Sequence, residues 1–383
     1  NYYRISGRDV ESFRLSTKFK KIFDEDSDLT FTPYYRNSVV KGLVPNWRLS
    51  TSAFRPNGEL WNSGFRSLGA QLKYRQAFDA MNATLYSGVD FDYSPGKNKR
   101  EQTLNNRDFN ADGNVYFNSF SKTGVTLYDY DVTYSSISPY LQYEFFPVDR
   151  LRIEAGLRYD YSSYDHSQNL DFVDGVAGRA GVKTGDIQFQ QLSPKLAMSF
   201  ALNEDHNIYA SYRRGFRAPS SNDIFAAPAS HNTLELDPTT IDSYEIGLKG
   251  QITEDFFYDL AVYYMDKKDD IITYRNPNDP SQRFATNNGR TSHRGVELQT
   301  TSLLTDELTL KTAASYSEHK YEEWNLGNAA FFGAPSGTEL EGNRLERAPR
   351  TTANVSLGYT PEYLNGANFE LELVHVGSTE VDS

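Results

Sequence analysis

Residues 108–114 read Asp108-Phe109-Asn110-Ala111-Asp112-Gly113-Asn114. Oxygen-bearing side chains at the first, third and fifth positions converge on a hard cation, and glycine at the sixth permits the sharp turn between them. Asp108, Asn110 and Asp112 are the candidate Ca2+ ligands of a loop over 108–119. The twelfth position, where a calcium loop needs a bidentate Glu, is Ser119. A loop rich in Asn, Asp and Gly accounts for the same residues.

Other reactive chemistry is sparse. His166, His206, His231, His293, His319 and His375 show neither HxH nor HExxH spacing, so each reads as an ordinary wall or surface residue. No serine stands in a GxSxG context. Without cysteine there is neither a disulfide scaffold nor a thiolate metal site. The reading is therefore no enzyme, no catalytic residue and, beyond calcium, no cofactor.

Aromatic and cationic side chains cluster in polar stretches. Tyr116, Phe117 and Phe120 stand near Lys97, Lys99, Arg100 and Lys122. Arg217, Phe225 and His231 share a second stretch, and Trp324, Phe331 and Phe332 a third. Rings cover apolar surface and cations offset charge, a pairing that suits a bulky anion. Tyr116, Phe117, Arg217, Phe225, Trp324, Phe331 and Phe332 are the candidate ligand contacts. Loop-on-loop packing would use the same residue types.

The elements that must carry these stretches have period two. Leu151, Ile153, Ala155, Leu157, Tyr159 and Tyr161 alternate with Arg152, Glu154, Gly156, Arg158 and Asp160. Such alternation gives a strand with one apolar and one polar face. The rows Leu192–Leu202, Phe256–Tyr264, Leu308–Tyr316 and Phe369–Leu373 repeat it, and about fourteen segments follow the rule. Helical periodicity is absent. Strands of about ten to fourteen residues are expected, with Pro139 and Pro194 at strand starts or bulges.

Short connections are expected near 23–28, 77–81, 146–150, 203–205, 253–255, 304–307 and 361–367. Long polar loops are expected near 42–60, 94–127, 165–186, 214–240, 274–290 and 321–349. Strict alternation of short and long connections is the habit of a transmembrane β-barrel, with short periplasmic turns and long extracellular loops. Tyrosines near strand ends suit an interfacial girdle. The fold class read from the residues is all-β, an antiparallel transmembrane barrel, with a soluble all-β module as the competing reading.

Composition agrees. The chain has 383 residues, 27 Tyr and 24 Phe, and its mean hydropathy is -0.63. No apolar run nears the roughly 20 residues of a helical span. A net charge of -12 argues against a nucleic-acid partner. The opening Asn1-Tyr2-Tyr3-Arg4 has no signal-peptide pattern, so the natural N-terminus is expected upstream.

A run of motifs adds to this. Tyr212-Arg213-Arg214-Gly215-Phe216-Arg217-Ala218-Pro219 leads to Ile224-Phe225, then Leu236-Asp237-Pro238. Ser243-Tyr244-Glu245-Ile246-Gly247-Leu248-Lys249 follows, then Ala261-Val262-Tyr263-Tyr264 and Asp270-Ile271-Ile272. Asn287-Asn288-Gly289, Gly295-Val296-Glu297 and Ala348-Pro349 complete it. In order and spacing this run resembles the TonB-dependent outer-membrane receptors, the ferric-siderophore branch most of all. The residues that carry the resemblance are Gly215, Arg217, Pro219, Tyr244, Glu245, Gly247, Gly289, Gly295 and Glu297. By alternation Glu245 and Glu297 fall on the polar face, expected as lumen wall.

The resemblance implies a barrel of about 22 strands filled by an N-terminal plug. On that reading residues 1–383 are a partial barrel, lacking the plug, roughly the first six strands and roughly the last two. It implies TonB-dependent uptake of a ferric siderophore across the outer membrane of a Gram-negative bacterium. The partners would be the siderophore, outer-membrane lipid and TonB–ExbB–ExbD acting through the plug. A receptor for haem, cobalamin or a glycan and a passive porin are the alternatives.

Overall fold

The computed structural model describes residues 7–45, 57–109, 111, 115–171, 184–225, 233–275, 283–324 and 340–379. The strands are β1 (Gly7–Ser16), β2 (Phe19–Ile22), β3 (Ser27–Pro45), β4 (Asn57–Phe78) and β5 (Ala83–Phe109). Next come β6 (Val115–Val148), β7 (Leu151–Gln168), β8 (Gly185–Ala201), β9 (His206–Arg217) and β10 (Thr239–Thr253). The last are β11 (Phe256–Arg275), β12 (Arg283–Thr305), β13 (Leu308–Trp324), β14 (Thr351–Tyr359) and β15 (Phe369–Val376). Among the described residues one short α-helix, α1 (Ser221–Phe225), follows β9. All 15 strands form one antiparallel sheet in chain order, with β2 alone off the path, paired to β3.

The two faces of this sheet invert the usual globular pattern. Leu157, Leu196, Ile246, Val262, Val296 and Leu298 are exposed, whereas Ser138, Ser162, Asp92 and Ser317 are buried. An apolar outside and a polar inside are what lipid on one side and a packed lumen on the other select. The lumen face is knitted by charge. Asp92 accepts from Tyr34 Oη at 2.5 Å and Arg36 Nη2 at 2.7 Å. Arg158 bridges Asp90 at 2.6 Å and Asp160 at 2.9 Å. Lys195 reaches Gln142 and Glu154, both at 2.7 Å.

The short connections fall where the sequence places them, as at Asp149-Arg150, Glu254-Asp255 and Asp306-Glu307. Strand length differs from expectation. The stretch 94–127, read as a polar loop, is mostly a strand pair. β5 and β6 stay paired from Ala83↔Phe145 to Phe109↔Val115. Its lysines serve as cross-strand partners, Lys97 to Asp131 and Lys99 to Asp129 at 3.2 Å, and Lys122 to Glu101 at 2.9 Å. A polar strand beyond the bilayer has no apolar face, so periodicity misses it.

The prolines also differ. Pro139 lies mid-strand opposite Val89, and its missing N–H coincides with a gap in the β6–β7 ladder between Ile137↔Tyr161 and Tyr140↔Arg158. Pro194 pairs with Leu157, and the β8–β9 ladder runs only from Lys195↔Arg213 downward. Above Pro194, β8 has no ladder with β9, which is where a sheet tolerates proline.

Candidate functional site

Two stretches of the lumen face, toward the long connections, bring side chains together. The first lies on β6, β7 and β8. Tyr130, Tyr164, His166, Ile187 and Phe189 form an apolar patch there. The connection after β9 folds onto it. Ser220 caps α1 through reciprocal bonds with Asp223, its Oγ donating to the carboxylate at 2.7 Å and accepting from the Asp223 N–H at 3.2 Å. Thr233 Oγ1 closes the return by donating to the Ile224 carbonyl at 2.6 Å. Ile224 and Phe225 are thereby driven into the patch, both fully buried. Phe225 stacks on His166 at 4.2 Å and meets Tyr164 edge-on at 6.0 Å.

The second stretch is polar and lies on β11, β12 and β13, with Arg217 reaching over from β9. Asp270 accepts from Lys267 Nζ at 2.5 Å and Arg217 Nη2 at 3.3 Å. His293 and His319 face each other across β12 and β13, Nδ1 to Nδ1 at 2.8 Å. Asn287 clips two backbone segments together. Its Nδ2 donates to the carbonyls of Asp237 and Asp269, and its Oδ1 accepts from the Asp237 N–H, all at 2.8 Å.

The candidate ligand contacts are divided between these stretches. Arg217 remains 64% exposed despite its ion pair, so its guanidinium is open to the lumen. Phe225 instead presents no surface, because its ring anchors the connection. Trp324 packs edge-on against Tyr321 at 4.8 Å, with its indole N–H buried and unpartnered among the described residues. Phe331 and Phe332 lie outside the described residues, as do Asn110 and Asp112 and the side chains of Asp108, Tyr116 and Phe117. Among the described residues no three His, Asp or Glu side chains gather to hold a metal ion.

Residues 1–382 match the family model "TonB dependent receptor-like, beta-barrel". The chain belongs to this family. Members of the TonB-dependent receptor family are transporters and receptors of the Gram-negative outer membrane, not enzymes. Among curated relatives, the ferrioxamine B receptor of Salmonella typhimurium is 25% identical over 211 residues, 55% of this chain and 25% of that protein. Two solved structures share the fold. The siderophore receptor PiuA of Acinetobacter baumannii aligns with a TM-score of 0.67 at 16% identity, over 93% of this chain and 53% of PiuA. The ferric yersiniabactin uptake receptor FyuA of Yersinia pestis gives 0.67 at 16%, over 98% and 51%. The chain thus spans about half the length of these solved receptors.

Within this receptor barrel the motif residues have local tasks. Tyr244 stands on the lipid face between Tyr212 at 5.0 Å and Tyr264 at 6.4 Å, ring to ring. Just beyond this tyrosine row the lipid face turns charged. Asp242 takes a bidentate pair from Arg214 at 2.8 Å, and Asp266 is held by Arg290 at 2.9 Å and Lys268 at 3.2 Å. That change marks the edge of the apolar belt. Glu245 and Glu297 share the lumen face with Gly247 and Gly295. A Cβ on Gly247 would sit 2.3 Å from the ring of Tyr209, which lies across it from β9. Gly289 admits the Trp324 ring, which a Cβ would approach to 2.8 Å. Gly295 leaves room for Tyr263 in the same way. Pro219 is fully buried just after β9. Around Gly215 there is open space, and nothing in the structure explains it.

Sequence reasoning passed over Asn287 as a clip, Asp270 as a shared acceptor, and the histidine pair. The pair had a readable signal: His293 and His319 stand thirteen positions on either side of Asp306, at the short turn between β12 and β13.

Proposed function

We propose that the full-length protein carrying this chain takes up a ferric siderophore across the outer membrane, energised by TonB–ExbB–ExbD through a plug seated in the lumen. The observation that supports this reading best is the 211-residue match to the ferrioxamine B receptor, within a family match over residues 1–382. The lumen face fits the task, with Arg217 exposed toward an arriving anion and aromatic residues nearby. Tyr116, Phe117, Arg217, Trp324, Phe331 and Phe332 are the proposed contacts. A trihydroxamate is the first ligand class to test. Asp108, Asn110 and Asp112 are proposed as a weak calcium loop in the stretch that connects β5 to β6.

The test is uptake of radioactive iron by iron-starved cells with and without the gene, supplied as hydroxamate, catecholate or citrate chelates. Gene-dependent accumulation that collapses in a TonB-deficient strain is expected for at least one chelate. Accumulation independent of TonB would favour a passive channel, and no gene-dependent uptake of any iron chelate would overturn the siderophore reading.

A further inference from the structure

We propose that His293 and His319, with Met265 beside them, form a copper site on the lumen wall, selective for Cu(I).

Register places the three donors. Met265 pairs with His293, and His293 with His319, so one row crosses β11, β12 and β13. Alternation turns all three side chains to the lumen, the face that also carries Tyr263 and Gly295. The two Nδ1 atoms stand 2.8 Å apart. Two imidazole nitrogens bound at about 2.0–2.1 Å to one ion lie on the order of 3 Å apart, so a slight opening of the pair admits a metal.

The surroundings prepare the rings. Ser317 Oγ donates to the Pro349 carbonyl at 3.2 Å, which spends its one proton. Toward His319 Nε2, at 3.0 Å, Ser317 can then only accept. His319 therefore carries its proton on Nε2 and points a bare Nδ1 lone pair at His293. In the metal-free pair His293 donates from Nδ1, and its Nε2 accepts from Thr291 Oγ1 at 3.1 Å. Binding asks for one tautomer change. The His293 proton moves from Nδ1 to Nε2, and the Thr291 hydroxyl rotates to accept it. Both rings are then oriented by hydroxyl partners, as ligating histidines usually are.

The donor set selects the ion. Two neutral imidazoles and a thioether form a soft, uncharged set, which suits Cu(I) over the hard cations. The nearby Asp270 carboxylate is already held by Lys267 and Arg217, so it adds no hard anionic donor.

The experiment uses the full-length protein in detergent, with no siderophore present, so it is independent of the uptake reading. Cu(I) is delivered anaerobically as its bicinchoninate complex, and fading of the complex's colour reports transfer to protein. One Cu(I) per chain is expected. His319→Gln and Met265→Leu should each weaken binding, the first by roughly tenfold or more, and Thr291→Val by roughly tenfold. Equal copper uptake by the wild type and the His293→Gln/His319→Gln pair would overturn the site. X-ray absorption on the copper-loaded wild type is a second check that needs no variant: fewer than two imidazole nitrogens on copper would also overturn it.

Discussion

The two stretches of lumen wall make an instructive pair. Both lie on the polar side of the sheet, and both are built by the same period-two alternation. On β6–β8 the lumen-facing side chains are Tyr130, Tyr164, Ile187 and Phe189, and a connecting segment has closed over them. On β11–β13 they are Lys267, Asp270, His293 and His319, and the wall is stitched by hydrogen bonds. The difference shows that facing the lumen does not fix a side chain's surroundings. An apolar lumen patch recruits a cover, because leaving it wet costs about 25 cal/mol for each Å². A polar patch satisfies itself and stays open to whatever enters. Pro194 helps the first arrangement: β8 gives up its β9 ladder above that residue, where Ile187 and Phe189 meet α1.

The cover is where that contrast breaks most easily. Phe225→Ala removes a fully buried ring, a change that typically costs about 3–5 kcal/mol. Here the loss is local, so the segment after β9 should be released while the strands stay paired. At about 3 kcal/mol, cleavage of 218–238 by a protease should quicken on the order of a hundredfold. The heat-modifiable gel shift of the barrel should persist. Arg217→Ala on the other stretch should leave cleavage nearly unchanged. Equal protease resistance in wild type and Phe225→Ala would show that the ring does not anchor the segment.

The wall itself can be probed with two glycines that sequence motifs treat alike. Gly247→Val drives a Cβ toward the Tyr209 ring and should cost about 1–3 kcal/mol through overpacking. Gly215→Val meets open space and should fall within about 0.5 kcal/mol of the wild type. Denaturant midpoints in detergent separate the two. A Gly215→Val variant as damaged as Gly247→Val would mean that contact geometry is not what sets the requirement.

Much of this was legible before any coordinates. Alternation such as Leu157/Arg158 and the short turns at 149–150 and 254–255 give the strand order, because lipid forces every spanning strand to show its apolar face. The motif run pointed to the family, and alternation put Glu245 and Glu297 on the lumen side. The upper strands were not legible, since Lys97 and Asp131 pair across a hairpin with no apolar face to betray it. Phe225 was misleading for a related reason: an aromatic residue in a polar segment looks like a ligand contact until the patch beneath it is known. Long-range polar contacts, such as Asn287 to Asp237, leave no periodic trace at all.

The smallest effect concerns the charged collar beyond the tyrosine row, where the outer face leaves the apolar belt. Arg214, bonded bidentately to Asp242, holds that carboxyl below its ordinary range, and Tyr212 Oη adds a hydrogen bond at 2.9 Å. A carboxyl depressed in the folded state contributes stability above its unfolded value, lost as pH falls through the folded one. The contribution should therefore be complete near neutrality and begin to fade only below about pH 4. Arg214 is 41% exposed, so solvent screening limits the pair to about 1 kcal/mol or less. Asp242→Asn removes the titration and keeps the shape. Its unfolding free energy should trail the wild type by that amount at pH 7 and converge with it toward pH 3. A gap that stays constant from pH 7 to pH 3 would mean the carboxylate charge is not what Asp242 contributes, and that packing beside Tyr212 holds the collar instead.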